Sequence, residues 1–336
     1  MNILLTFDYE LYFGSPSGSA EKCILSPTGE LMQIAEKHDA RFSFFVDCGY
    51  LVKLREYMNE YPTLDNDYRK IIAQLRQLSA SGHDLQLHIH PHWEDSSYNG
   101  KEWVFNTGRY KLSDFPAESI DRIVALYRKT LEEISGRQVF VNRAGGWCIQ
   151  PFMETGRAMK DNGVWLDSTV FKGGYFFSGN YYYDFRNAPQ DACWRFSDDP
   201  LKPSENGFFT ELPITPLNVS PWFYWKLFLL GRINPRLHKP IGDGNPMPAP
   251  GYRKKLLTSF TVQPLSLDGY NARLLNRGLS ETKNKKSTNH MVVIGHPKAL
   301  SRFSLRALDK FIDKHKQEHR FITYSAWAEK YTGSFS

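Results

Sequence analysis

At 336 residues the chain has the length of one large α/β domain or two ordinary ones. Hydrophobic residues at 41% and charged residues at 23% describe an ordinary soluble globular protein with ample core. The formal charge of +6 is mild and no aromatic-and-basic nucleic-acid module is visible, so nucleic acid is not an expected partner. Basic residues gather late, in Arg253-Lys254-Lys255, in Lys283 to Lys286 and between Arg302 and Arg320. Such a surface could favour phosphates or an anionic membrane face, although a solvated charged face also accounts for it. Cys23, Cys48, Cys148 and Cys193 are scattered and form no CxxC pair, which argues against a disulfide framework or a thiolate zinc site and for reduced thiols in the cytosol.

The first residues, Asn2 to Phe7, read as a core strand rather than a secretory leader, and deliver Asp8-Tyr9-Glu10 at its end. A helix is expected around Glu30 to His38, then a strand over Arg41 to Val46. Tyr68 to Ala80 carries Ile71, Ile72, Leu75 and Leu78 on one helical stripe, with Gly82 suited to the stop. Next comes Gly82-His83-Asp84-Leu85-Gln86-Leu87-His88-Ile89-His90-Pro91-His92-Trp93, which holds four of the ten histidines. Leu85 and Leu87 alternate with Gln86 and His88 in the period of a half-buried strand, and Pro91 should end it.

Ala117 to Ile134 is a strong amphipathic helix stopped by Gly136, and Val139 to Arg143 a strand ending in a charged residue. A helix over Pro151 to Asn162 and a short strand Val164 to Asp167 follow. Phe171 to Pro216 is loop-rich and aromatic, with Phe208 to Ile214 strand-like. Residues 217–289 are the least patterned, an inserted lobe or flexible cover. Within them Trp222 to Ile233 (WFYWKLFLLGRI) is the most apolar stretch but far shorter than the roughly 18 residues that span a bilayer. It suits either a buried helix or one lying in a membrane interface, and burial against the core is the favoured expectation. Met291 to Ile294 is a buried strand leading to His296, and a helix (Leu305 to His315), a strand (Phe321 to Tyr324) and a last helix close the chain.

Strands alternating with helices predict a largely parallel sheet, doubly wound or closed into a barrel. Asp8, His88, Arg143, Asp167 and His296 all fall at strand C-termini, the face that holds the active site in α/β barrels. His88 and His92, four residues apart across the strand end, could converge on one divalent metal, zinc being the usual imidazole-bound ion. With a carboxylate as third ligand, positions stay open for water and substrate. A second carboxylate can then take a proton from water, a histidine across the site can protonate the leaving group, and Arg143 and Asp167 can orient the base. This is equipment for hydrolysing an amide or ester.

These motifs resemble those of the polysaccharide deacetylases of carbohydrate esterase family 4, the NodB-homology domain. Thr6-Phe7-Asp8 is similar to the family's first motif, Gly82-His83-Asp84 with His88 and His92 to its histidine block, and Asn142-Arg143-Ala144-Gly145-Gly146-Trp147 to its arginine motif. Asp167 looks like the acidic fourth motif and Ile294-Gly295-His296-Pro297 like the closing histidine motif. The likeness spans about 8 to 170 and 291 to 331. It implies a distorted (β/α) barrel of about seven strands, a single domain over 1–336 with 217–289 as an inserted, less regular lobe.

The resemblance further implies Asp8 as catalytic base, His296 as general acid, His88 and His92 as metal ligands, and Arg143 and Asp167 as supports of the base. Tyr9 stands where the family has a second acid. Glu10, on the same side of the strand as Asp8, is then the expected substitute ligand, and the two carboxylates could exchange roles. His90 could be a third imidazole ligand or a group behind the ligands. Gly145 and Gly146 replace a proline-rich turn that helps hold the oxyanion. The implied reaction is removal of an acetyl group from an N-acetylated sugar of a surface-glycan or lipopolysaccharide intermediate, in the cytoplasm or at its membrane face. A cyclic-amide or ureide hydrolase of the same fold and a non-catalytic sugar-binding relative are the alternatives.

Overall fold

The computed structural model describes residues 1–285 and 289–332; the end of the basic run at Lys286 lies outside them. Parallel strands arranged in order around a barrel organise the chain. β1 (Asn2–Tyr9), β2 (Ser43–Asp47), β3 (Asp84–Ile89), β4 (Val141–Ala144) and β5 (Leu166–Asp167) pair successively and in parallel. A short antiparallel strand β6 (Trp194–Phe196) flanks β7 (Phe209–Glu211), which runs parallel to β5. β8 (His290–Gly295) lies parallel to β1 on its other edge, and β9 (Arg320–Phe321) adds two residues beside the start of β1. The gap between β7 and β8 is closed by backbone bonds: Ile214 N donates to Val170 O at 2.8 Å and Thr215 N to Val292 O at 3.1 Å. Leu265 N reaches Thr215 O and Ile294 N reaches Leu265 O, so the chain after 264 joins the barrel wall. Among the described residues, and omitting the flanking β6 and β9, seven strands make the ring, in line with the expected number of about seven.

Both faces of such a sheet are covered, so its strands are buried throughout rather than alternating, as in β1 and β2. The outer face is packed by helices α1 (Ser26–His38), α2 (Cys48–Tyr57), α3 (Pro62–Ala80), α4 (Ala117–Ser135) and α5 (Met153–Asp161). α4 buries Ile120, Ile123, Val124, Tyr127 and Leu131 on one face and ends at Gly136, whose φ of 65° is the left-handed cap glycine accepts without strain. The Gly82-His83-Asp84 block serves the fold. His83 Nδ1 accepts the Phe42 N–H at 3.0 Å, and Asp84 accepts the N–H and hydroxyl of Ser325 at the start of the C-terminal helix.

The WFYWKLFLLGRI stretch is helical, α6 (Pro221–Ile233), but its expected burial is not observed. Only Tyr224 is buried; Trp222 is 81% and Ile233 69% exposed. The hairpin strands Pro216–Val219 and Thr261–Pro264 form its base, and α7 (Tyr252–Thr258) packs beside it. Beyond 264 the chain returns to the barrel wall, and Leu265, Leu267, Leu275 and Leu279 belong to the core, as do Leu217, Val219, Tyr224 and Leu256 earlier in the expected lobe.

Candidate active site

β1 brings Asp8 and Glu10 to the inner rim of the barrel, both buried. Asp8 Oδ1 receives Arg143 Nη1 at 2.7 Å. That guanidinium also donates to the Thr6 hydroxyl at 3.0 Å and, through Nε, to Ser168 O at 2.9 Å, and it lies over the Phe45 ring at 3.9 Å. With its fork and face both occupied, Arg143 holds one orientation and fixes the Asp8 carboxylate. Tyr324, from the C-terminal helix, bonds Ser168 Oγ at 2.5 Å and completes the cage.

Glu10 Oε2 faces two imidazoles, His90 Nε2 at 2.6 Å and His88 Nε2 at 3.1 Å, and the two ring nitrogens are 3.1 Å apart. Their ligand atoms lie within 4.8 Å of one another, a carboxylate-and-two-imidazole set of the kind that holds a divalent ion. His88 is oriented from behind by Arg143 O, 2.7 Å from its Nδ1. Gly145 makes room for His90, since a Cβ there would stand 2.5 Å from His90 Nδ1 and 2.6 Å from Ile89 O. Burial opposes the charge of Glu10, yet the Lys298 ammonium and the two imidazoles hold its pKa well below the usual carboxylate range. Burial likewise opposes charge on His88, but Asp8 and Glu10 prevail and raise its pKa. His90 is pushed down to about 4, chiefly by burial.

His92, expected as a ligand beside His88, stands outside this set. It follows Pro91 into a 3-10 turn, Pro91–Asp95, and its ring stacks on Tyr110 at 5.4 Å and meets Phe13 edge-on at 4.6 Å. Both of its ring nitrogens are buried without a hydrogen-bond partner. His90 occupies the place beside His88 and Glu10.

His296 enters from the end of β8. Its Nε2 lies 3.5 Å from Asp8 Oδ2 and 3.7 Å from Glu10 Oε1, while Nδ1 meets Asp268 Oδ2 at 2.8 Å. Asp268 also accepts the His296 backbone N–H at 2.8 Å, fixing both main chain and ring. Burial disfavours the charged imidazole, but the carboxylates of Asp268, Asp8 and Glu10 outweigh it and raise its pKa to about 9. The side chain retains 17% exposure, so the ring is reachable from solvent.

Asp167 is at the expected strand end but points away from this cluster. It accepts Asn142 Nδ2 at 2.7 Å and Thr169 N at 2.9 Å, and lies against Glu211 rather than Arg143. The sequence reading missed four residues that shape the site. Asp268 lies in the unpatterned region, and Lys298, bonded to Glu10 Oε1 at 2.9 Å, directly follows the closing motif, two residues after His296. Tyr324 comes from the last helix. Asp47, at the end of β2, has its pKa raised to about 7 by burial and the nearby Glu10, and accepts the Trp93 indole N–H at 2.6 Å. Of these only Asp47 carried a legible signal, an acid closing an apolar strand.

From His296 and Asp268 a cavity of about 240 Å³ opens toward the lobe, walled by Trp147, Tyr224, Phe228 and Tyr252. No protein-family model matches the sequence, and no curated protein matches it. Among solved structures, one assigned as a polysaccharide deacetylase from Mycobacterium smegmatis is similar, at 16% identity and a TM-score of 0.53, over 99% of this chain and 90% of that one. The fold is that of the polysaccharide deacetylases. The allantoinase PuuE shares it at 11% identity and a TM-score of 0.53, over 98% of this chain and 89% of that one. In this deacetylase-fold barrel Asp8, Glu10, His88, His90, Arg143 and His296 meet on one rim, with Asp268 behind His296.

Proposed function

We propose that the protein is a metal-dependent amide hydrolase that removes an acetyl group from an N-acetylated sugar of a surface-glycan or lipopolysaccharide intermediate. The observation that carries this reading is the facing pair of assemblies on one rim: Glu10, His88 and His90 on one side, Asp8 and the Asp268-bound His296 on the other. The donor set suits zinc, and Glu10, His88 and His90 would hold it, with His92 one ring further out. A bound divalent ion supplies Lewis-acid polarisation of the amide carbonyl and an acidified water. Asp8, held by Arg143, accepts a proton from the attacking water. His296, protonated near neutral pH, donates its proton to the departing amine, with Asp268 keeping Nε2 aimed inward. Asp167 supports the rim through Asn142 rather than through the base. The lobe over 217–264 of the barrel covers the cavity.

The aromatic walls of that cavity, Trp147, Tyr224 and Tyr252, suit the faces of sugar rings, which favours a glycan over the small planar substrate of a cyclic-amide hydrolase. Four free cysteines fit a reducing compartment such as the cytoplasm. Acetate release should be screened over N-acetylated monosaccharides, nucleotide sugars and lipid-linked sugars. Release is expected to stop on chelation, to return with zinc, and to fall by roughly 10² to 10⁴ in Asp8→Asn with metal content unchanged. Undiminished turnover after complete metal removal, or in Asp8→Asn, would refute the assignment.

A further inference from the structure

The outer side of α6 is an apolar stripe at helical spacing. Trp222, Trp225, Leu229 and Ile233 recur three or four residues apart and are 81%, 55%, 55% and 69% exposed. Phe260, 76% exposed, follows α7, whose Leu257 O accepts the Trp225 indole N–H at 3.1 Å. A soluble surface rarely leaves so many large apolar side chains together in water. The charges around them are one-sided. Residues 217–264 hold seven basic side chains and a single acid, Asp243, a surplus of six that equals the net charge of the whole chain. Lys226 and Arg232 lie on α6, Arg236 and Lys239 just after it and Arg253 to Lys255 on α7, all exposed. Asp243 is turned to Ser19, whose N–H and hydroxyl it accepts at 2.8 and 3.0 Å.

We infer that α6 is a docking helix that lies in the interface of an anionic bilayer, with Trp222, Trp225, Leu229 and Ile233 among the acyl chains and the surrounding Lys and Arg on the headgroups. Exposed tryptophans on an apolar stripe, bordered by cations, match the chemistry of that interface on both counts. No described helix is long and apolar enough to cross a membrane, so the contact is peripheral. The inner side of the same helix (Tyr224, Leu227 and Phe228) walls the cavity that runs to His296. Docking therefore sets the mouth of the cavity at the lipid surface, where a membrane-borne molecule can reach it. The binding does not depend on the reaction proposed above and is measured without substrate.

The test is co-sedimentation of the full chain with phosphatidylcholine vesicles, with and without about 30 mol% phosphatidylglycerol, together with tryptophan emission. Binding to the anionic vesicles is expected to be at least about tenfold tighter, to weaken as salt rises, and to shift the emission to the blue. The pair Trp222→Ser and Trp225→Ser should lower partitioning by about tenfold or more, as should Lys226→Glu with Arg232→Glu. These side chains are exposed, and thermal melting of each variant verifies that it folds. Equal partitioning to neutral and anionic vesicles, or unchanged binding in the tryptophan pair, overturns the inference. So does a wild-type dimer in light scattering that the tryptophan pair dissolves, since the stripe would then be a subunit interface.

Discussion

The two faces of β4 treat buried polar groups in opposite ways. Arg143 points into the barrel and meets a full carboxylate, Asp8, while its neighbour Asn142 points outward and meets Asp167, which lies against a second carboxyl, Glu211. Inside, charge is kept and balanced: Arg143 and Lys298 answer Asp8 and Glu10. Outside, among the described residues, no cation is bonded to the acid pair; burial raises the pKa of Asp167 against the hydrogen bonds it makes, and burial followed by the charge of Asp167 raises that of Glu211 well above the usual range. A buried row can thus be chemical equipment on one face and framework on the other: Glu10 inside is held low by Lys298 and two imidazoles, whereas Glu211 outside is raised by burial. Asp167 reads as catalytic in sequence because its strand ends on the active rim; the alternation of side chains along the strand turns it away.

The sharpest way to break this comparison is to remove the inner cation. Arg143→Met leaves Asp8 buried without its partner and should cost about 3–5 kcal/mol in urea denaturation. Arg143→Lys keeps the charge but loses the fork to Thr6 and Ser168, and should retain the fold while turnover falls by 10-fold or more. A loss below about 1 kcal/mol in the methionine variant would mean that the inner pair is no more demanding than the outer one.

The proposed metal ligands come next in expected effect. His90→Ala should lower zinc affinity by about two orders of magnitude and His92→Ala by about tenfold or less, read by competition with a chromophoric chelator. The reverse ranking would show that His92 rotates out of its stack on Tyr110 to take the ion. The placement of His90 rather than His92 beside Glu10 was not legible from spacing. His88 and His92 are four apart, but β3 ends at Ile89 and His90 remains extended at φ −106°. Its side chain therefore shares the inner face with His88, and the turn begun by Pro91 carries His92 elsewhere. The barrel was legible because its strands are short apolar runs bounded by turns and charged ends, and its helices keep one apolar stripe. Asp268 and Lys298 were not, since each is a lone charged residue placed by a closure between distant segments. Glu10 and Lys298, for example, lie 288 positions apart.

The smallest expected effect tests the outer face. Burial, followed by the charge of Asp167, raises the pKa of Glu211, whose Oε1 accepts Val170 N at 3.0 Å and whose Oε2 finds no donor. The folded protein therefore keeps a proton that the unfolded chain releases above the usual glutamate value near 4.5. The native state binds more protons through that range, so this contribution to stability is complete at low pH and is lost as pH rises. Glu211→Gln cannot ionise and should be free of the loss. Its stability relative to wild type should be near zero at about pH 4.5 and should grow in its favour, to on the order of 1 kcal/mol, by about pH 8. Inside the barrel the isosteric change Glu10→Gln would instead remove the charge that Lys298 and His90 face, and should destabilise the protein at neutral pH. If urea midpoints of Glu211→Gln and wild type stay parallel from pH 4.5 to 8, Glu211 is ionised in the fold. The outer row would then be charged framework, and the contrast between the two faces would rest on geometry alone.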